Sequence, residues 1–515
     1  MNITQHLQRN ARHSPDCEST ICGDRVRNWA ETRERVARLA GALRSLGIGS
    51  GDRVAILSLN SDRYVEYLFA VPWADAVITP VNIRWSPAEI AYSLVDSGTG
   101  TLFVDDAFAP MVPALREQVP GLRTVVHCGD GPTPEGALDY ERLIVEHGPV
   151  EDARRAGDQL AGIFYTGGTT GHPKGVMLSH ANLVISAMAA AAAGEFLTPG
   201  GRTLHAAPMF HLADLFTVLI RNILGGTHVT VPFFEPAAVA QTVEKHQVTD
   251  VLLVPTMIQM LLDAPGAAEA DLSSLQRLIY GASPISDSLL SRAQAALPGV
   301  RFTQAYGMTE LAPLATYLCA EDHADPVLRR SAGRAGPNVE VRVVDAEDQE
   351  VAPGVVGEVV VRGGNVMLGY WNRPAETSDA LRGGWMHTGD GGYLNDRGFV
   401  FLVDRLKDMI VSGGENVYSA EVENALATHP AVAQCAVIGV PDPELGERVH
   451  AVVVLVPGAT ATQEELRAHC KALIAGYKAP RTSEFVDAMP LSGAGKILKR
   501  ELRAKHWPEA GRAIG

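Results

Sequence analysis

The sequence predicts an α/β protein with parallel-sheet subdomains in a large N-terminal domain, followed by a small α+β C-terminal domain. Three observations carry this. Over the first ~400 residues, short apolar runs alternate with stretches of helical periodicity, as parallel sheet units require. A charged stretch, Asp404-Arg405-Leu406-Lys407-Asp408, breaks that pattern. The last ~110 residues then carry strand and helix signals of their own, as a separate domain does.

Taken in order, Val36, Leu39, Ala40, Leu43 and Leu46 recur at helical spacing across residues 32–46, and Gly47 stands where a C-terminal cap belongs. A strand-like run at 54–57, an apolar helix from Tyr64 and a second strand-like run at 101–104 follow. The apolar run 160–164 leads into a glycine-rich segment, after which Val176-Met177-Leu178 reads as strand again. The alanine run 187–193 is expected to be a closely packed helix rather than a linker. Beyond residue 404, runs 433–438 and 451–456 read as strands, and Thr462 with Glu465 makes a capping box opening a helix towards Ile474.

Composition narrows the function. With 515 residues the chain has room for two to four units of ~100–200 residues, which excludes a single small binding module. Lys+Arg 44 against Asp+Glu 59 leaves a net charge of −15, which disfavours nucleic acid and anionic membrane as partners. Cysteines 17, 22, 128, 319, 435 and 470 form no CxxC pair and no metal-ligand spacing, which suits free thiols in a reducing compartment. The N-terminus lacks a signal-peptide core, and the most apolar segment, 215–223, is interrupted by Arg221, well short of the ~18 residues of a membrane span. The expectation is a soluble, cytoplasmic protein, with a homodimer left open.

The strongest local signal is Tyr165-Thr166-Gly167-Gly168-Thr169-Thr170-Gly171-His172-Pro173-Lys174-Gly175. Glycines let backbone N–H groups converge on an anion, threonine hydroxyls add donors and lysine adds charge, so the segment suits a polyphosphate. No Gly-Lys-Ser/Thr closes it, so it is not a Walker A loop. A glycine-rich surface turn is the bland alternative.

This segment resembles the phosphate-binding signature of the acyl-adenylate-forming superfamily, which includes acyl-CoA synthetases, luciferases and peptide-synthetase adenylation domains. The family's usual serine is Gly167 here. Further motifs match in the family's order between about residues 30 and 500. Pro208-Met209-Phe210-His211 resembles the segment beside the acyl pocket, and Tyr280-Gly281-Ala282-Ser283-Pro284 the loop lining acid and adenine. Gln304-Ala305-Tyr306-Gly307-Met308-Thr309-Glu310 is more specific: the resemblance implies that Tyr306 stacks on adenine, Thr309 bonds the α-phosphate and Glu310 holds Mg²⁺. His211, Ala213, Gly281, Ala282, Gly307 and Met308 would then line the acid.

Trp385-Met386-His387-Thr388-Gly389-Asp390 resembles the segment whose aspartate accepts both ribose hydroxyls. By the same resemblance Arg405 meets ribose or phosphate, Lys407 is the pivot, and Gly413, Gly414 and Glu415 line the pantetheine tunnel. Pro490-Leu491-Ser492-Gly493-Ala494-Gly495-Lys496-Ile497 matches the segment carrying the adenylation lysine, which makes Lys496 the principal catalytic candidate beside Thr309, Glu310 and His211. Lys499 and Arg500 are read as surface charge. The implied division is 1–404 for ATP and acid, 405–408 as hinge, and 409–515 as a mobile lid.

The resemblance implies an acyl-CoA ligase using ATP, Mg²⁺ and coenzyme A on a small carboxylic acid. Ala213 falls near where phenylpropanoid ligases place a tyrosine, so a medium- to long-chain aliphatic acid is expected, with an aryl acid as the alternative. Amino-acid adenylation domains usually carry Asp where His211 stands, and no carrier-serine signature follows. A nucleotide-binding regulator without catalysis is the competing class, disfavoured because both Glu310 and Lys496 are present.

Overall fold

Apolar strands that pair on both sides need helices over both faces, and this chain supplies them alternately. The computed structural model describes residues 1–166, 173–267, 269–283, 285–405, 408–491 and 497–507. Two units separate: Met1–Ala282 with Ala293–Val341 and Val361–Met386, and Ser283–Arg292 with Arg342–Val360 and His387–Gly515.

The larger unit holds two mixed sheets. One has eight strands in the order Gly369–Tyr370, Lys174–Ser179, Leu160–Thr166, Val77–Pro80, Arg53–Leu57, Thr101–Val104, Thr124–His127 and Leu138–Asp139. The other has nine, with Arg277–Gly281 between Arg301–Gly307 and Asp250–Leu253. Interior pairs such as Arg53–Leu57 with Thr101–Val104 are parallel, as expected. Antiparallel pairs join strands close in sequence, as in Leu160–Thr166 with Lys174–Ser179 and Arg301–Gly307 with Leu314–Leu318, and one distant pair, Gly369–Tyr370 with Lys174–Ser179.

The expected helices form. Trp29–Ser45 buries Val36, Leu39, Ala40 and Leu43, and it begins earlier than its apolar repeat because Asn28 and Glu31 make a reciprocal capping box. His180–Ala193 buries Ala187, Ala189 and Ala190, with Ala187 and Ala190 in the main core, so the alanine run is packed helix. Arg221, which interrupts the apolar run, is fully buried on helix Leu212–Leu224, where its Nη2 donates to Asp250 Oδ2 at 2.7 Å. Breaking such a buried pair costs about 3–5 kcal/mol. Among the described residues no helix is long and apolar enough to cross a membrane.

A four-stranded sheet, Val339–Val344, Gly357–Gly363, Met386–Leu394 and Val400–Arg405, has no counterpart among the sequence expectations. The smaller unit also carries a sheet built on the long hairpin Val432–Asp442 and Gly446–Leu455, with Thr482–Phe485 parallel to the latter. Helices Ser419–Ala427 and Gln463–Leu473 cover it through Val422, Leu426 and Leu466. The second of these opens on the expected Thr462–Glu465 capping box.

Candidate active site

In the larger unit the candidate residues collect at strand ends. Arg277–Gly281 and Arg301–Gly307 run parallel in register, with Tyr280 opposite Gln304 and Gly281 opposite Ala305. The glycines are dictated by crowding. A Cβ on Gly281 would collide with the Ala305 carbonyl oxygen, and one on Gly307 with that of Pro313. Ala282 takes a left-handed φ of 64°, a conformation that costs a non-glycine residue about 1 kcal/mol or more. Tyr306 and Met308 are half-buried, and Thr309 and Glu310 begin the short turn Thr309–Leu311.

Glu310 is buried, and its Oε1 accepts a 2.8 Å hydrogen bond from the Tyr370 hydroxyl. The Met367 N–H also donates to the Glu310 carbonyl at 2.9 Å. The Lys174 ammonium lies 5.1 Å from the centre of the same Tyr370 ring, a cation–π contact. Lys174 pairs with Thr166 across the hairpin. Thus Lys174, Tyr370 and Glu310 form one connected chain. Tyr370 escaped sequence reasoning, because its partners lie far off in sequence. The carboxylate of Glu310 is a hard oxygen donor of the kind Mg²⁺ takes. Gly167, Gly168, Thr169 and Thr170 lie outside the described residues.

On the acid side, His211 is the half-buried residue that starts helix Leu212–Leu224, with its ring 4.2 Å from that of Phe210. Ala213, Ala305, Tyr306 and Met308 all pack half-buried against one apolar core. Asn60 holds the approach to His211: its Nδ2 donates to the carbonyls of His205 and Ala207, and its Oδ1 accepts from the Met209 N–H at 2.8 Å. No local signal marks Asn60.

In the smaller unit, Asp390 lies opposite Arg405 across paired strands, and Arg405 Nε reaches Asp390 Oδ1 at 2.6 Å. Arg405 Nη1 also donates to the Thr388 carbonyl. Glu358 fixes the approach to Asp390 by accepting from the Gly389 N–H at 2.9 Å while its other oxygen meets His387 Nδ1 at 2.9 Å. Gly413 and Gly414, with φ of 62° and 84°, make the two-residue turn between Ile410–Ser412 and Glu415–Val417, and Glu415 is exposed.

Lys407 and Lys496 lie outside the described residues. Leu491 and Ile497 pair as an antiparallel bridge. Lys499 is a correction: it is not surface charge but part of an ion pair, with its Nζ 2.7 Å from Glu423 Oε1 on helix Ser419–Ala427. Burial alone would lower the Lys499 pKa, but Glu423 and Asp404 outweigh it and raise the value. Arg500 is exposed, as expected.

Residues 7–371 match the family described as AMP-binding enzyme, and residues 421–496 match the AMP-binding enzyme C-terminal domain. The chain is 42% identical over 498 residues to a feruloyl-CoA synthase of an Amycolatopsis species, covering 96% of this chain and 97% of that protein. It is 37% identical over 510 residues to a medium/long-chain-fatty-acid–CoA ligase of Mycobacterium tuberculosis, covering 96% and 88%. Among solved structures, an anthranilate CoA ligase in complex with anthranoyl-AMP superposes with a TM-score of 0.91 at 27% identity, over 98% of this chain and 97% of that one. The chain therefore belongs to the AMP-binding enzyme family, as an adenylate-forming ligase of its acyl-CoA synthetase branch.

Proposed function

We propose that the protein joins a hydrophobic carboxylic acid to coenzyme A through an acyl-AMP intermediate. The observation that carries this is the chain from Lys174 through Tyr370 to Glu310, which ties the edge of the phosphate-loop hairpin to the candidate metal carboxylate. In the first half-reaction a carboxylate oxygen of the acid attacks the α-phosphorus of ATP, the bond to the bridging oxygen breaks, and pyrophosphate leaves. In the second, the CoA sulfur attacks the acyl carbon, AMP departs, and the thiol gives up its proton.

Each step asks mainly for charge neutralisation and alignment. Thr166, Gly167, Gly168, Thr169, Thr170 and Lys174 are assigned to the leaving phosphates, and the Thr309 hydroxyl to the α-phosphate. Tyr306 offers a ring face to adenine beside Gly281, Ala282, Gln304 and Ala305. Asp390 and Arg405 are assigned to ribose, and Lys496 to the charge that develops during adenylation. Glu310 would hold Mg²⁺, which neutralises phosphate charge when bound. The working division is 1–404, a hinge at 405–408 around Lys407, and 409–515, with Gly413, Gly414 and Glu415 serving the thiol step.

For the acid, the similarity to feruloyl-CoA synthase across almost the whole chain supports an arylpropenoate. Ala213, where the resemblance to phenylpropanoid ligases implies a tyrosine, and the fatty-acid ligase relative favour a medium- to long-chain aliphatic acid as the second reading. Pyrophosphate release is to be measured with ferulate, cinnamate, benzoate, octanoate and palmitate. A kcat/KM for ferulate or cinnamate about 10-fold above the fatty acids, or about 1.4 kcal/mol in transition-state binding, is expected. The reverse order replaces the aryl reading with the aliphatic one, and a flat baseline with every acid removes catalysis altogether.

A further inference from the structure

The smaller unit gathers three side chains of the types that ligate metals, none of them among the residues assigned above to acyl transfer. His450 lies on strand Gly446–Leu455, Glu484 on Thr482–Phe485, and His506 just beyond helix Lys499–Ala504. The two strands are parallel neighbours, with His450 opposite Thr482. The Thr482 hydroxyl lies 2.7 Å from His450 Nδ1, so that nitrogen is engaged and Nε2 faces the cluster. Glu484 Oε2 is 3.9 Å from His450 Nε2 and 3.7 Å from His506 Nε2. Its other oxygen faces the Lys505 ammonium at 3.6 Å. The two imidazole rings are 4.8 Å apart, centre to centre.

Two features separate this group from ordinary surface charge. Both Nε2 atoms are sealed from solvent, and each meets the Glu484 carboxylate only at ion-pair distance, without a hydrogen bond of ordinary length. Leaving a buried polar atom unsatisfied costs about 1–3 kcal/mol, so two such atoms converging on one carboxylate require an account. The spacing supplies it. The separations from Glu484 are too long for hydrogen bonds, yet the three donor atoms lie within 4.8 Å of one another. A point equidistant from atoms so spaced is about 2.5 Å from each, a small side-chain adjustment from the roughly 2.0–2.2 Å of Zn–N and Zn–O bonds.

We propose that His450, Glu484 and His506 bind one divalent zinc-class cation. Two imidazoles and a carboxylate are the mixed nitrogen and oxygen set such ions accept, and three protein ligands leave a fourth position for water. The side chains of Glu484 and His506 are 34% and 29% exposed, which gives the ion a way in. Bound there, the ion ties the end of the last described helix to two strands of the sheet. That helix already buries Leu502 in the apolar cluster of Ile438, Val440 and Val452, so the ion reinforces an existing contact. Because the ligands come together only on folding, binding stabilises the folded state.

The test uses full-length protein without a histidine tag, stripped with a chelator and dialysed. Zinc chloride is titrated in against a chromophoric competing chelator, and the protein is melted with and without zinc. One equivalent bound and a raised melting midpoint are expected. His506→Gln should weaken binding about 100-fold or more and abolish the midpoint shift, exceeding the effect of losing an outer partner. His506 is partly exposed beyond the helix end, so this change leaves the core intact. Glu484→Gln, which keeps the side chain's size, tests a second ligand and should also weaken binding. Stripped wild-type protein that takes up no zinc, or variants that bind their equivalent as tightly as wild type, overturn the proposal.

Discussion

The two units hold their residues by a different balance of means: main-chain crowding fixes glycines in the larger, where Glu310 also takes a hydrogen bond from Tyr370, and ion pairs recur in the smaller. In the larger one, Gly281 and Gly307 are set by main-chain crowding against Ala305 and Pro313, and no change of partner can relieve it. In the smaller one, Asp390 is held by Arg405, Lys499 by Glu423, and Asp408 by Arg503 at 2.5 Å. A packed backbone keeps its shape with or without ligand, whereas an ion pair can trade one anion for another. Crowded backbone of this kind fixes the position of a residue, whereas an ion pair fixes it only while both charges are present.

The sharpest way to break this contrast is Lys496→Ala. If the smaller unit supplies the charge for adenylation, acid-dependent pyrophosphate release falls by about 100-fold or more, while thioester formation from supplied acyl-adenylate is largely spared. Equal loss in both assays would remove Lys496 from the first step. Gly307→Ala probes the other side. Its added methyl meets a backbone carbonyl, so about 1–3 kcal/mol of stability should be lost and both half-reactions slowed together. Unchanged melting and kinetics would mean that the crowding is easily relieved. Arg405→Ala should have the smallest effect, a severalfold rise in KM for ATP with kcat nearly kept, because Arg405 already has a partner to exchange. A selective fall in kcat would make it more than a binding group.

What could be read from the sequence was what repeats locally. The helix expected over 32–46 and the capping box at Thr462 follow from spacing, and both formed, the helix as Trp29–Ser45 with an earlier start set by Asn28 and Glu31. The alternation in Val339-Glu340-Val341-Arg342-Val343 carries a strand signal too, although the sheet built on it joins segments too distant for a local pattern to link. Partnership is different, because it joins residues that no local window contains. Arg221 reads as an interruption until Asp250 is beside it, and Lys499 reads as solvated until Glu423 is. Tyr370 and Asn60 escaped for the same reason: each acts by bridging segments far apart in the chain. Motif order was enough to nominate Tyr306, Glu310 and Asp390, but not to identify what holds them.

The pairing of Lys499 with Glu423 also bears on amine chemistry. Acylating reagents and acetyl donors attack only the neutral amine, and an ammonium kept charged by a neighbouring carboxylate offers very little of it. Lys499 should thus react more slowly with such reagents in the folded protein than an exposed, unpaired lysine does.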